Sequence, residues 1–428
     1  MTSKEKPETT ISGPINIVRL EGEVFGINKV LYVFFDVHYS CTEETICENI
    51  FSDNITTYLI NQFRKTKEKY LDFFLETFPS KLYWGSKSIY RGIYITELRK
   101  LLTQAFSYDP QQGTVFPSKV FPNVRLHYID VRDYLFDTIL IMQIDNVYYG
   151  FRRIYVDLIM SGISKNDIVQ FKEQLDNYAK NIKEIYDLFF EQKGGKMGAD
   201  EKKKRIIKYI DEELSEEERR ENILRLIKKI KEKYSHPKIK EIILLMLDKF
   251  LKTGLLEILD KIDKINKLSE NLLKLFEFRS LHTKIMYDEF TKIPEFVQMG
   301  MPMYGPNVDD VTKIVGDIFF LVDSMREISK SSSAVIVDTY FLRRFLDKDY
   351  ITNGISYTGG AHSVMYIYIL TKYFDFKVTH ASYSKYNINE LNDVIKKTAL
   401  GRDFGTLFYQ PKQMYQCSDI TDFPEGFS

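Results

Sequence analysis

Three cysteines in 428 residues are too few for a disulfide framework, and Cys41, Cys47 and Cys417 include neither a C-x-x-C pair nor a zinc-like spacing. That scarcity points to a reducing compartment. Net charge is missing as well: 60 Lys and Arg balance 60 Asp and Glu. The total therefore supplies no long-range attraction to phosphate, and a nucleic-acid partner is not expected; only a local basic patch would change that. The opening MTSKEKPETTISGP lacks the apolar core of a signal peptide, and no later stretch runs for about 18 apolar residues without a charge. A soluble, intracellular protein is the expectation. G-x-S-x-G, H-E-x-x-H, Walker and G-x-G-x-x-G motifs are absent from any convincing context, which removes the serine hydrolase, kinase and dinucleotide-binding readings. Alanine is scarce while Phe, Tyr, Ile, Lys and Asn abound, a bias that fits an AT-rich genome and says little about chemistry.

What is present is an alternation of strand-forming and helix-forming texture. After a polar tail over 1–14 that is expected to be disordered, INIVRL and KVLYVFF read as two strands, the second apolar on both faces as in a buried central strand and ending at Asp36. Ser40 with Glu43 forms a possible capping box for a helix carrying Ile46, Ile50 and Ile55. A further strand lies in PNVRLHYIDVRDYL, ending at Asp130, Arg132 and Asp133, and the sequence between these two units reads as mostly helical. Long helical patterns then alternate with polar linkers such as KGGKMGADEKKK, and Pro237 separates two of the helices. Near the end, AVIVDTYFLRRFL favours helix, GISYTGG a short strand into a glycine turn, AHSVMYIYILTKYF a helix and FKVTHASY a strand. The pattern predicts an α/β fold with a mostly parallel central sheet flanked by helices and a large α-helical insertion. The boundaries are an N-terminal half over 15–160, the insertion over 161–276 and a C-terminal half over 277–428.

Two histidine loops follow apolar strands. In an extended chain residues two apart face the same way, so Asp36 and His38 can point together, beyond the carboxyl end of a central strand where open α/β sheets bind ligands. The pair suits a divalent metal, or a carboxylate orienting a general base. It equally suits a polar strand end facing solvent. In YTGGAHS, glycines allow close approach of a ligand, and His362 in the first turn of a helix is favoured in its neutral form. The plain alternative is a strand-to-helix turn with an incidental histidine. Asp130 and Arg132 can join the same rim as carboxylate and anion-binding guanidinium, or form a structural ion pair. His127 reads as a packed core residue, and Cys41 as an inert thiol.

The blocks PINIVRLEG and INKVLYVF-x-D-x-H, then NVRLHYIDVRD, VDTYFLRRF and YTGGAHSVMY resemble, in this order, a family of uncharacterised proteins of mimivirus-like giant DNA viruses. More distantly, an acid-x-His block after one strand and a Gly-x-x-His block after a late strand are similar to the erythromycin-esterase, ChaN and TraB/Tiki group of proposed hydrolases and haem-binding proteins. The resemblance adds Asp338 and Arg344 to Asp36, His38, Asp130, Arg132 and His362 as site residues. One departure is Phe35, where the family pattern has glycine before the first aspartate; it crowds a close backbone approach. Two functions follow. One is a viral protein of hydrolase-like fold, located in the virion or host cytoplasm, that contacts other viral proteins without catalysis. The other is a metal-dependent hydrolase in which Asp36, His38 and His362 hold a divalent ion. The second requires those three side chains to converge; the first is favoured by a large exposed apolar patch on the insertion together with a collapsed pocket behind Phe35.

Overall fold

The computed structural model describes residues 9–37, 47, 49–67, 69–77, 93–109, 114–132, 138–160, 162–191, 216–275, 310–409 and 416–427. Two units emerge from the pattern of contacts: residues 1–131, 234–243 and 337–428 form the first, and residues 132–233 and 244–336 the second. The fold class is mixed α/β with several sheets.

In the first unit, β2 (Asn16–Val24) and β3 (Ile27–Asp36) form an antiparallel hairpin. Its two-residue loop, Phe25 and Gly26, has φ of 51° and 81°, the positive values that match a tight turn to the right-handed strand twist. β5 (Leu71–Leu75), β8 (Val124–Tyr128), β9 (Asn353–Gly359) and β10 (Lys377–Ala381) complete a six-stranded sheet in the order β10-β2-β3-β9-β5-β8. The β3–β9, β9–β5 and β5–β8 pairings are parallel, so these four strands end on one rim. β5 corrects the expectation of mostly helical sequence before residue 121: LDFFL is a five-residue run, too short for its period to separate strand from helix. Within the tail expected to be disordered over 1–14, β1 (Thr10–Ser12) is instead buried between β11 (Cys417–Asp419) and β4 (Asp53–Asn54), while residues 1–8 lie outside the described residues. Ile11 supplies the apolar anchor there.

Side chains of alternating parity send Tyr32, Phe34, Phe73, Leu126, Ile355 and Tyr357 to one face of the sheet. There they pack against α1 (Ile55–Lys65) and α2 (Ile93–Ala105). Asn54 starts α1 by accepting the Thr56 amide at 2.8 Å. The expected capping pair Ser40 and Glu43 lies outside the described residues, and Ile50, expected on the apolar face of that helix, is exposed.

Continuing along the chain, α3 (Ile144–Met160), α4 (Lys165–Phe190), α5 (Glu216–Glu232), α6 (Pro237–Met246), α7 (Thr253–Leu275) and the long α8 (Asp310–Asp347) follow, then α9 (Gly360–Tyr373) and α10 (Ile388–Lys397). The opposite face of the sheet meets the end of α8 and α9 through Phe74–Phe341 and Phe341–Tyr366 ring contacts at 4.9 and 4.1 Å. Lys29 closes the end of α8 from inside the core. Its ammonium donates to the carbonyl of Phe345 in the last turn, where carbonyls lack helical partners, and to those of Lys348 and Ile351 just beyond it, at 3.1, 2.8 and 2.5 Å. Burial pulls the Lys29 pKa down to about 8 against the opposing pull of Asp349, Asp72 and Asp347.

The described elements of the second unit are mainly helices. Ser164 and Asp167 form a capping box at the start of α4. α7 and α8 approach closely at Gly254, where a Cβ would come within 2.3 Å of the Ser332 hydroxyl oxygen. A side chain at 254 would force the Ser332 hydroxyl to turn aside.

The sparse cysteines do pair: Cys47 and Cys417 form a disulfide across 370 positions of sequence, Cα to Cα 4.9 Å. It fastens β11 to the segment leading into β4, within the first unit. Replacing both cysteines by serine is expected to lower the unfolding free energy by about 2–4 kcal/mol, since a long closed loop restricts the unfolded chain. Denaturant melts of oxidised wild type and the double variant check this; coincident curves would refute it.

Candidate functional site: a buried imidazolium at the strand ends

β9 ends at Gly359 and α9 begins at once, so His362 sits in the first turn of that helix at the rim. It is 5% exposed. Its Nδ1 lies 2.6 Å from Asp338 Oδ1, on α8, and its Nε2 lies 3.0 Å from Glu76 Oε1, just past the end of β5. Glu76 and Asp338 are 4% and 2% exposed. The second oxygen of Glu76 accepts the Gly359 amide at 2.6 Å, a carboxylate at the positive end of a helix. Burial would drive His362 toward its neutral form, but the carboxylates of Glu76 and Asp338 overcome it and raise the pKa to about 10. At neutral pH the ring is therefore an imidazolium donating from both nitrogens. This reverses the neutral form expected from the helix dipole alone, because two full charges at hydrogen-bond distance outweigh partial ones.

The YTGG turn has a steric reason. A Cβ on Gly360 would lie 2.5 Å from the Tyr409 hydroxyl oxygen. The group that approaches the glycine backbone is thus a side chain of this protein. Tyr409 also meets Phe35 edge-on at 6.0 Å, and Phe408 packs against Phe35 at 6.1 Å. Burial raises the Tyr409 pKa to about 12, so its hydroxyl stays protonated.

Of the residues singled out from sequence, the structure brings together His362 and Asp338. Asp36 lies at the same rim, paired in register with Gly359, but its parity is that of Phe34, and it accepts the Tyr357 hydroxyl at 3.1 Å on the α1/α2 face. Glu76 continues the parity of Phe74, on the other face. His38 lies outside the described residues. Asp130 is buried two positions past β8, Arg132 belongs to the second unit, and Asp133 lies outside the described residues. Arg344 is half-buried near His127, whose basicity its charge reduces. The contributor missed from sequence is Glu76. LDFFLE repeats the signature of VLYVFFD, an apolar run closed by an acid, and that signal could have found it.

A second ionic cluster occupies the same strand nearer its start. Asp72 is buried, accepts two bonds from Arg125 at 2.8 and 2.6 Å, and lies 2.7 Å from His127 Nε2. Burial would raise the Asp72 carboxyl, but the bonds from His127 and Arg125 hold it below the usual range. Burial keeps His127 low despite Asp72, so His127 donates as a neutral ring. It stacks on Phe74 at 4.7 Å, in accord with a packed core residue.

A divalent metal does not fit the cluster at the rim. A ligating imidazole must offer a lone pair, and both His362 nitrogens face carboxylates as donors. Asp36 points across the sheet, and among the described residues no three His, Cys, Asp or Glu side chains are disposed to hold an ion.

Fold and rim together define a mixed α/β protein with an ionic cluster locked at its strand ends. The family of unknown function DUF5847 matches residues 9–428, and the chain belongs to it. The uncharacterized protein R706 of Acanthamoeba polyphaga mimivirus is 35% identical over 434 residues, covering 97% of this chain and 96% of that protein. The uncharacterized proteins R161 and R160 of the same virus are 32% and 30% identical, over 100% and 97% of this chain and the same shares of their own lengths. No solved structure matches. The likeness to the erythromycin-esterase, ChaN and TraB/Tiki group is not supported by any of these matches.

The cluster predicts a pH dependence. The folded pKa of His362, about 10, lies above the unfolded value of 6.5. Its stabilising contribution is therefore complete below about pH 6.5 and is lost as pH rises through 10. Lys29, with its lowered pKa, acts in the opposite sense above about pH 8. The stability of wild type minus that of His362→Gln isolates the histidine. That difference should shrink between pH 7 and 10 by up to about 1.4 kcal/mol per unit; a difference constant with pH refutes the imidazolium.

Proposed function

We propose that this is a non-catalytic viral protein, associated with the particle, in which a hydrolase-like rim has been closed into a structural ion clamp and the surface contacts other viral proteins. One observation carries the reading: among the described residues, the groups gathered around His362 are engaged by the protein itself. His362 has no free nitrogen, and Glu76 is shared between His362 and the Gly359 amide. Tyr409 fills the approach to Gly360 behind Phe35. A general base or nucleophile needs an unengaged lone pair directed at a substrate. The clamp instead joins β5, α8 and α9. The membership of a family whose mimivirus relatives cover the whole chain supports a viral role.

Association with the particle is supported by the Cys47–Cys417 bond. Disulfides persist in oxidising surroundings, virion surfaces among them, and are rare in reducing cytoplasm. This favours the particle over the reducing host cytoplasm in the present reading.

The rival is the metal-dependent hydrolase. His362→Gln separates the two. A clamp leaves two buried carboxylates uncompensated when its cation is removed, so the variant should lose about 3–5 kcal/mol of unfolding free energy. Wild type should show only background hydrolysis of ester and phosphoester substrates, with or without added zinc or manganese. Metal-stimulated turnover that disappears in His362→Gln, or stoichiometric metal retained through purification, would overturn the proposal.

A further inference from the structure

The last described residues, 416–427, lie over the α1 face of the sheet as a strap with little regular structure: the three residues of β11 and a short turn over Glu425–Phe427. Ile420, Phe423 and Phe427 belong to the apolar core on that face. The Phe427 ring meets Tyr32, Phe34 and Tyr58 edge-on at 5.0, 6.2 and 5.9 Å, and Phe423 lies 6.3 Å from Tyr32. The Asn353 side chain donates to the Phe427 carbonyl at 2.5 Å. Nearer its start the strap is tied to the other end of the chain. The Ile420 amide donates to the Thr9 carbonyl and the Gly13 amide to the Gln416 carbonyl, both at 2.9 Å, and the Ser418 hydroxyl donates to the Pro14 carbonyl at 2.9 Å.

Two features oppose this closure. Phe427 has φ of 59°, a left-handed backbone that a bulky residue keeps only where its surroundings impose it. Holding residues 416–427 in one conformation also sets chain entropy against the burial of only three large apolar side chains. A covalent bond adds to the closing side. Cys417 is itself part of the strap, opposite Ser12 of β1, and Cys47 precedes β4 on the other side of β1. The disulfide thus brackets β1 between its two neighbours and pins the start of the strap. Its sulfurs are unequally shielded: Cys47 is 6% exposed, while Cys417 is half-buried on β11, an outer strand of its sheet.

We propose that Cys47–Cys417 is the catch of a redox-operated strap, closed when the bond is formed and released from the aromatic groove of Tyr32, Phe34 and Tyr58 when it is reduced. The reductant is a dithiol. Its thiolate attacks the better exposed Cys417 sulfur and expels the Cys47 thiolate; its second thiol then displaces Cys417 from the mixed disulfide. Two electrons and two protons pass to the protein, which ends with two thiols, and the reductant leaves as a disulfide. Release frees the Phe427 backbone and restores entropy to the strap. The inference rests on the particle reading above for where the two states are met, oxidised in the particle and reduced in host cytoplasm.

Amide hydrogen exchange of the full-length protein, before and after treatment with dithiothreitol, tests this. The Gly13 and Ile420 amides should exchange at least about thirtyfold faster once the crosslink is gone. Those of Val30 and Glu76, bonded to the Thr352 and Tyr357 carbonyls at the large sheet, should keep their rates. Cys47→Ser/Cys417→Ser should show the fast rates without reductant, and reoxidation of wild type with oxidised glutathione should restore the slow ones. Equal rates at Ile420 in both states overturn the proposal, since burial alone then holds the strap. Equal acceleration at Val30 and Glu76 also overturns it, because the bond is then a staple of the whole unit, as does fast exchange that reoxidation leaves unchanged. None of these readouts depends on His362 or on hydrolysis, so failure here is distinguishable from failure of the non-catalytic reading.

Discussion

The cation of His362 between the carboxylates of Glu76 and Asp338 fixes the rim of the sheet. Three buried ionisable groups would be costly apart. Together they impose an arrangement: β5, α8 and α9 must bring their ends to one point, and only that point satisfies all three. The Gly359 amide completes the set by meeting the second Glu76 oxygen. The chain reversal from β9 into α9 is thereby tied to β5, a strand separated from it by more than half of the sequence.

Aromatic packing does the remaining work around this cluster. Phe74 separates the rim from the second ionic group of Asp72, Arg125 and His127, with Phe341 and Phe345 edge-on against it. Phe35 contributes to the same closure from β3 by packing on Phe408 and Tyr409. The ring of Phe35 and the tyrosine over Gly360 pack together, so the group nearest the glycine turn is a side chain of this protein.

Local patterns were legible where the apolar run was long or its end marked. The hairpin of β2 and β3, the strand–turn–helix at YTGG and the helix over VDTYFLRRF all lie where the sequence indicates. β5 and β1 were not legible, because short strands are specified by the partners that bury them and not by their own period. The disulfide was equally hidden: Cys47 and Cys417 are neighbours only because β1 and β11 pair.

From the sequence alone came the presence of an acid or a histidine at the end of each candidate strand, since side-chain chemistry and alternation are properties of the chain itself. Tertiary structure decided which of them meet. Strand pleat turned Asp36 away from His362, and parallel register brought in Glu76. Burial between two carboxylates then converted a histidine expected to be neutral into a cation. Charge state depends on neighbours supplied by distant parts of the chain, and no local pattern carries that information.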